Sequence, residues 1–179
     1  MELRKLLART VEAFDRLGID YALVGGYAGV LYGSPYTTAD IDFVVVSDKV
    51  SLRLVLELGK LGWVPTERYE KVDVLRAFGQ FVHGEKGWPL HILPHVAGYS
   101  LKEDTPRREI VVEGYPVKVC SPEDLVIMRL AVWTDVDKEK ALAIALAKKL
   151  DEKYLKKRAK EEKLGRRLEW LMEEVVKNR

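Results

Sequence analysis

Asp40 and Asp42 stand two residues apart at the mouth of an apolar, β-branched run, residues 41–46. Strand side chains alternate between faces, so both carboxylates project to the same side. Two carboxylates backed by apolar residues repel each other unless a cation lies between them. Mg²⁺ characteristically takes one or two carboxylates and completes its shell with substrate phosphates. A place for phosphates precedes the pair. Gly25-Gly26 ends the apolar run Tyr21-Ala22-Leu23-Val24, and glycines there leave backbone N–H groups open to a ligand with no Cβ in the way. A helix beginning directly afterwards would add its partial positive end. Alone, a double glycine reads as a turn and an Asp-x-Asp as a helix cap or solvated strand end. In this order, with Thr37-Thr38 between them, the glycine corner suits phosphates and the Asp pair suits a metal.

The elements that must position these residues follow from periodicity. Leu3, Leu6, Leu7, Val11, Phe14 and Leu17 recur at helical spacing and predict a helix over 2–17, ended by Gly18. Residues 21–24 and 41–46 read as buried strands, with a short helix to about Tyr32 between them. Ser47-Asp48 reads as the cap of a helix to about Leu61. A strand is expected over 63–68, a hairpin from 74–83 and 88–93, and a second from 109–112 and 116–120 turning at Gly114. Ser121-Pro122-Glu123-Asp124 opens a helix, with a Ser cap, Pro in first position and acids in the first turn. Beyond it only helices are predicted, over about 122–133, 138–150 and 151–178, the last bent near Gly165. The expected fold class is therefore α/β (α+β), with a core of residues 1–121 and a helical extension of residues 122–179.

Val24-Gly25-Gly26, thirteen residues (27 to 39), and then Asp40-Ile41-Asp42-Phe43 resemble the signature of the polymerase-β-type nucleotidyltransferase superfamily. Gly25, Gly26, Ala28, Gly33, Thr38, Asp40 and Asp42 look closest to AbiEii-type and minimal nucleotidyltransferase-like proteins of prokaryotes. Pro89-Leu90-His91-Ile92-Leu93 and Val119-Cys120-Ser121-Pro122-Glu123-Asp124-Leu125 occupy the places of two further segments of that pattern, so the resemblance covers roughly residues 20–130. It implies a mixed sheet flanked by helices. It also implies Asp40 and Asp42 as catalytic ligands of Mg²⁺ or Mn²⁺, and Gly25, Gly26 and Thr38 at the nucleotide. Two positions depart from the pattern. Tyr36 replaces an Arg on the phosphate side, and His91 stands where a third carboxylate is expected. An imidazole with an unperturbed pKa near 6.5 can ligate a metal or act as a base, but it adds no negative charge. Asp73 is the rival third acid; chain position favours His91.

The implied activity is transfer of a nucleoside monophosphate from an NTP to a hydroxyl, with release of pyrophosphate. The acceptor is left open among RNA, protein and small molecules. The His91 departure motivates an alternative, a nucleotide-binding or toxin–antitoxin-type regulatory protein without turnover. Composition narrows the remaining classes. The chain has 179 residues, 47% hydrophobic and 32% charged, which excludes disorder, and its net charge of +2 argues against coating duplex DNA. Residues 148–167 nevertheless carry 10 Lys and Arg against 4 Asp and Glu, a solvated face or a local polyanion contact. Leu164, Leu168, Leu171 and Val175 form a stripe around Trp170, read as core or as a seam for a homodimer or protein partner. One cysteine, Cys120, excludes an internal disulfide and is expected as a packed hydrophobe. His83 and His95 are expected to be structural. Gln80 and Asn178 are the only amide side chains, a composition like that of proteins from hot environments. No apolar run reaches membrane-spanning length, and a cytoplasmic protein without a membrane partner is expected.

Overall fold

The computed structural model describes residues 2–46, 49–50, 52–66, 75–76, 79–102 and 104–178. In chain order the elements are α1 (Leu3–Arg16), β1 (Tyr21–Val24), α2 (Gly25–Leu31), β2 (Ile41–Val45), β3 (Lys49–Val50), α3 (Leu52–Lys60), β4 (Trp63–Pro65), β5 (Leu75–Arg76), β6 (Gly79–His83), β7 (Pro89–Leu93), β8 (His95–Val96), β9 (Tyr99–Ser100), β10 (Arg107–Val112), β11 (Tyr115–Cys120), α4 (Pro122–Val132), α5 (Asp135–Ala147), α6 (Glu152–Glu161) and α7 (Gly165–Lys177). Seven strands form one mixed sheet in the order β10-β11-β1-β2-β7-β6-β4. β1 runs parallel to β11, and β2 parallel to β7. β1 and β2 are antiparallel, as are the β10–β11 and β6–β7 hairpins. The mixed α/β architecture and both hairpins match the reading of the sequence. The short β8–β9 ladder was not anticipated, because two-residue strands carry no alternation to read.

Local chemistry sets the boundaries. α1 ends in a Schellman turn: Ile19 N–H donates to the Phe14 carbonyl at 3.0 Å and Gly18 N–H to that of Asp15 at 3.1 Å. Gly18 takes φ +66°, the left-handed conformation this turn requires. α4 is capped as its sequence predicts, with Asp124 N–H donating to Ser121 Oγ at 3.0 Å. The expected helix over 151–178, bent near Gly165, is two helices that part just before that glycine. Lys163 adopts φ +59° and breaks the chain between α6 and α7, a left-handed residue that a non-glycine sequence does not announce. α5 begins at Asp135, earlier than expected, because Thr134 Oγ1 accepts from Asp137 N–H at 3.2 Å and caps it. The expected cap at Ser47-Asp48 and residues 74, 77 and 78 in the first arm of the 74–93 hairpin lie outside the described residues.

α1 packs with α3 and against β10 and β11. Its Phe14 ring meets Tyr21 at 5.4 Å and Phe43 at 4.9 Å between centroids, and those two meet at 5.5 Å. All three rings are fully buried, so they tie the helix to the two strands that carry the glycine corner and Asp42. α4 packs on α2, α5 and α6, and α7 on α5 and α6. The apolar core is continuous from α1 to α7 and includes Leu164, Leu168, Leu171 and Val175, so the tail's stripe is occupied within the chain. Cys120 is buried, a packed hydrophobe. No helix among the described residues is long and apolar enough to cross a membrane. Emptying the aromatic cluster tests this arrangement: Phe14→Ala should cost about 3–5 kcal/mol of stability in urea unfolding, and a loss below about 1 kcal/mol would contradict the packing described.

Candidate functional site

The site forms where three strand ends meet. Val24 pairs with Asp42, and Asp42 pairs with His91, so one row across β1, β2 and β7 brings the glycine corner, an aspartate and the histidine together. Gly25 follows Val24 with φ +71°. The Asp42 carboxylate lies directly over its Cα: a Cβ at Gly25 would overlap that carboxylate, with Asp42 Cγ only 2.8 Å away. Position 25 thus needs glycine twice over, for its backbone angle and for the space Asp42 fills. Gly26 is similarly constrained, since a Cβ there would stand 2.7 Å from Thr38 Oγ1 and 2.9 Å from Thr38 Cβ.

The expected site residues converge. His91 Nδ1 lies 2.7 Å from Asp42 Oδ1. A carboxylate only accepts, so Nδ1 carries the proton and donates it. Thr38 Oγ1 donates to Asp40 Oδ1 at 2.8 Å and accepts from the Asp40 N–H at 3.4 Å, which fixes the residue immediately before β2. The hydrogen bond to Asp42 raises the His91 pKa above its ordinary 6.5; partial burial opposes this, and the charges of Asp42 and Asp40 reinforce it. Both carboxylates therefore bear on the same imidazole. Asp73, the rival third acid, lies outside the described residues. His83 packs between Trp63 and Trp88, at 5.6 and 6.3 Å, and His95 is exposed on β8.

The donor set bears on the metal question. Among the described residues no group of three or more His, Cys, Asp and Glu side chains is arranged to hold a metal ion. Asp40 and Asp42 offer hard oxygen donors of the kind Mg²⁺ uses, but they complete a shell only together with oxygens from a bound phosphate. The pair fits a substrate-assisted cation and does not form a resident cage.

The helical extension reaches this corner, which the sequence did not reveal. Gly25, Gly26, Gly29, Ser34, Tyr36, Thr37, Arg129, Lys140 and Ile144 line one small crevice. Tyr36 Oη donates to Glu139 Oε2 at 3.1 Å, tying the turn before Asp40 to α5. The basic tail is partly structural as well. Arg158 Nε donates to the buried Asp124 at 3.1 Å, and Arg167 Nη1 donates to the Leu130 and Ala131 carbonyls at 2.6 and 2.8 Å.

No protein-family model matches the chain, and no curated protein matches it. Solved structures do. The chain superposes on lincomycin-bound LnuA, a lincosamide antibiotic adenylyltransferase, with a TM-score of 0.57 at 15% identity, covering 80% of this chain and 97% of that one. The complex of ANT(2'')-Ia with adenylyl-2''-tobramycin gives 0.59 at 15% identity, over 89% and 96% of the two chains. An antigenic nucleotidyltransferase-like protein from Paracoccidioides brasiliensis gives 0.55 at 20% identity, over 80% and 75%. At these identities the likeness defines the fold, and the chain has the nucleotidyltransferase fold.

The Asp42–His91 pair makes a pH prediction for metal-free protein. Because its folded pKa is raised, His91 contributes stability that is fully present below about pH 6.5 and is lost as pH rises through the folded value. Asp42→Asn should lower the His91 pKa in an NMR titration. The stability gap between wild type and variant should narrow from about pH 5 to about pH 8. An unmoved His91 titration would show that the two side chains do not share the proton.

Proposed function

We propose that this chain is a Mg²⁺- or Mn²⁺-dependent nucleotidyltransferase that moves a nucleoside monophosphate from an NTP to a hydroxyl acceptor and releases pyrophosphate. The observation that carries this reading is the single row of Val24, Asp42 and His91, with Gly25 against the Asp42 carboxylate. Gly25 and Gly26 admit the triphosphate to the backbone, with Thr38 beside them. Asp40 and Asp42 hold the metal, which when bound neutralises phosphate charge and aligns the in-line displacement. α2 has only seven residues, so its dipole adds little; the open backbone of the glycines matters more.

His91 then takes the place of a third carboxylate. With Nδ1–H on Asp42, Nε2 bears the lone pair of the neutral ring and accepts the acceptor's hydroxyl proton. Asp42 orients the imidazole and fixes its tautomer, as carboxylates do in other acid–base pairs. The core, residues 1–121, supplies this chemistry, and the extension, residues 122–179, closes one side of the glycine corner. The motif residues favour an AbiEii-type relationship, whereas the fold neighbours make AMP the first fragment to test. A small hydroxyl compound is the first acceptor to test, followed by RNA and protein.

The same Asp42–His91 bond supports a second reading. When His91 is protonated, its charge neutralises Asp42 and competes with the metal, leaving a regulatory protein that binds nucleotide without turnover. Pyrophosphate release measured with each NTP over a panel of acceptors separates the two. An active enzyme loses release on EDTA treatment, and Asp42→Ala lowers the rate about 100-fold or more. NTP binding with no pyrophosphate release from any acceptor favours the regulatory protein. Release that survives Asp42→Ala would sink the assigned site.

A further inference from the structure

Lys140 has no role in the chemistry described above. It sits on α5 and lines the same crevice as Gly25, Gly26, Tyr36 and Thr37. Its ammonium stands 5.9 Å from the centroid of the Tyr36 ring. The side chain is half-buried, and among the described residues it makes no ion pair. With no carboxylate paired to it, the ammonium can meet an anion that enters the crevice.

The surrounding charges are already engaged. Arg129, the other cation of the crevice, donates to Asp137 Oδ1 at 2.9 Å. Asp137 is buried and also accepts from Thr134 Oγ1 at 2.6 Å, so that pair is closed. Glu139, next to Lys140 in sequence, is taken by the Tyr36 hydroxyl. That bond also holds α5 against the turn leading to Asp40, and so fixes where the Lys140 stem begins. Lysine suits a polyphosphate because its charge is compact, carries three donors and rides on a flexible stem.

We infer that Lys140 is a positioning residue for the triphosphate, contacting phosphate oxygens from the α5 side of the crevice. This rests on the nucleotide reading given above and extends it. The Asp pair, through its cation, and Lys140 grip the same anion, one from the core and one from the extension. The contact is to phosphates and not to the base, so it discriminates by phosphate number.

The 179-residue wild-type chain, Lys140→Ala, Lys140→Gln and Lys140→Arg should be compared by calorimetric titration with Mg²⁺ and the tightest-binding NTP, and with its monophosphate. Thermal unfolding of each variant checks the fold. Lys140→Ala and Lys140→Gln should weaken the triphosphate about tenfold and leave the monophosphate within about twofold of wild type. Lys140→Arg should recover most of the loss. Unchanged triphosphate affinity in Lys140→Gln, or equal weakening of both nucleotides, overturns the assignment while leaving the nucleotide site standing. A wild type that binds no NTP removes the nucleotide reading itself, and this assignment with it.

Discussion

The close approach of the Asp42 carboxylate to the Gly25 backbone is the constraint around which the site is arranged. Antiparallel pairing sets Val24 opposite Asp42, and the chain must turn out of β1 at that level. Any side chain at position 25 would occupy the volume of the carboxylate. The outcome is a carboxylate held against open backbone, with an imidazole on its other oxygen. Each partner is half-buried, which strengthens their interaction relative to water while leaving access for a ligand. Thr38 performs the corresponding task for Asp40 from within the same loop.

The extension is held to the core by polar groups as well as by apolar burial. Asp124 is almost fully buried, yet Ser121 Oγ, Tyr154 Oη and Arg158 Nε all donate to it, at 2.8, 3.0 and 3.1 Å. Glu123, beside it, accepts from the Asp151 N–H at 2.7 Å. A buried charge that has lost its water is tolerated when its lone pairs are filled in this way. The first turn of α4 therefore caps its own helix and anchors α6 at once. Arg167 completes the other end by covering the last carbonyls of α4, while Trp133 and Trp170 meet edge to face at 5.2 Å.

Features set by neighbouring residues are legible in the sequence. The Schellman turn at Gly18, the Ser121 cap and the hairpin turning at Gly114 each depend on a few adjacent side chains. The site row was legible because glycines and aspartates fall in a recognisable order, and because the place of His91 follows from strand order. The contribution of α5 was not legible. Tyr36 and Glu139 are separated by 103 residues, and nothing in either segment names the other. The bend expected near Gly165 is a full break just before it, and its sharpness was not legible because it falls on a lysine at positive φ. The acids of α4 were read as dipole partners, and their role in holding α6 emerges only when Tyr154 and Arg158 come within reach.

The central position of β1 has a consequence for how the molecule comes together. One edge of β1 is covered by β2, close behind it in the chain, and the other by β11. Tyr32, just beyond α2, donates its hydroxyl to the Cys120 carbonyl 88 residues away. A ribosome would thus expose the aspartates and the glycine corner long before the strand and helices that enclose them. Such long-range closure slows folding and leaves an open sheet edge in the interim. The half of the corner that carries the aspartates is vectorially early and its enclosing half late, so the nascent chain passes through a stage in which the β11 edge of β1 is an open template for pairing.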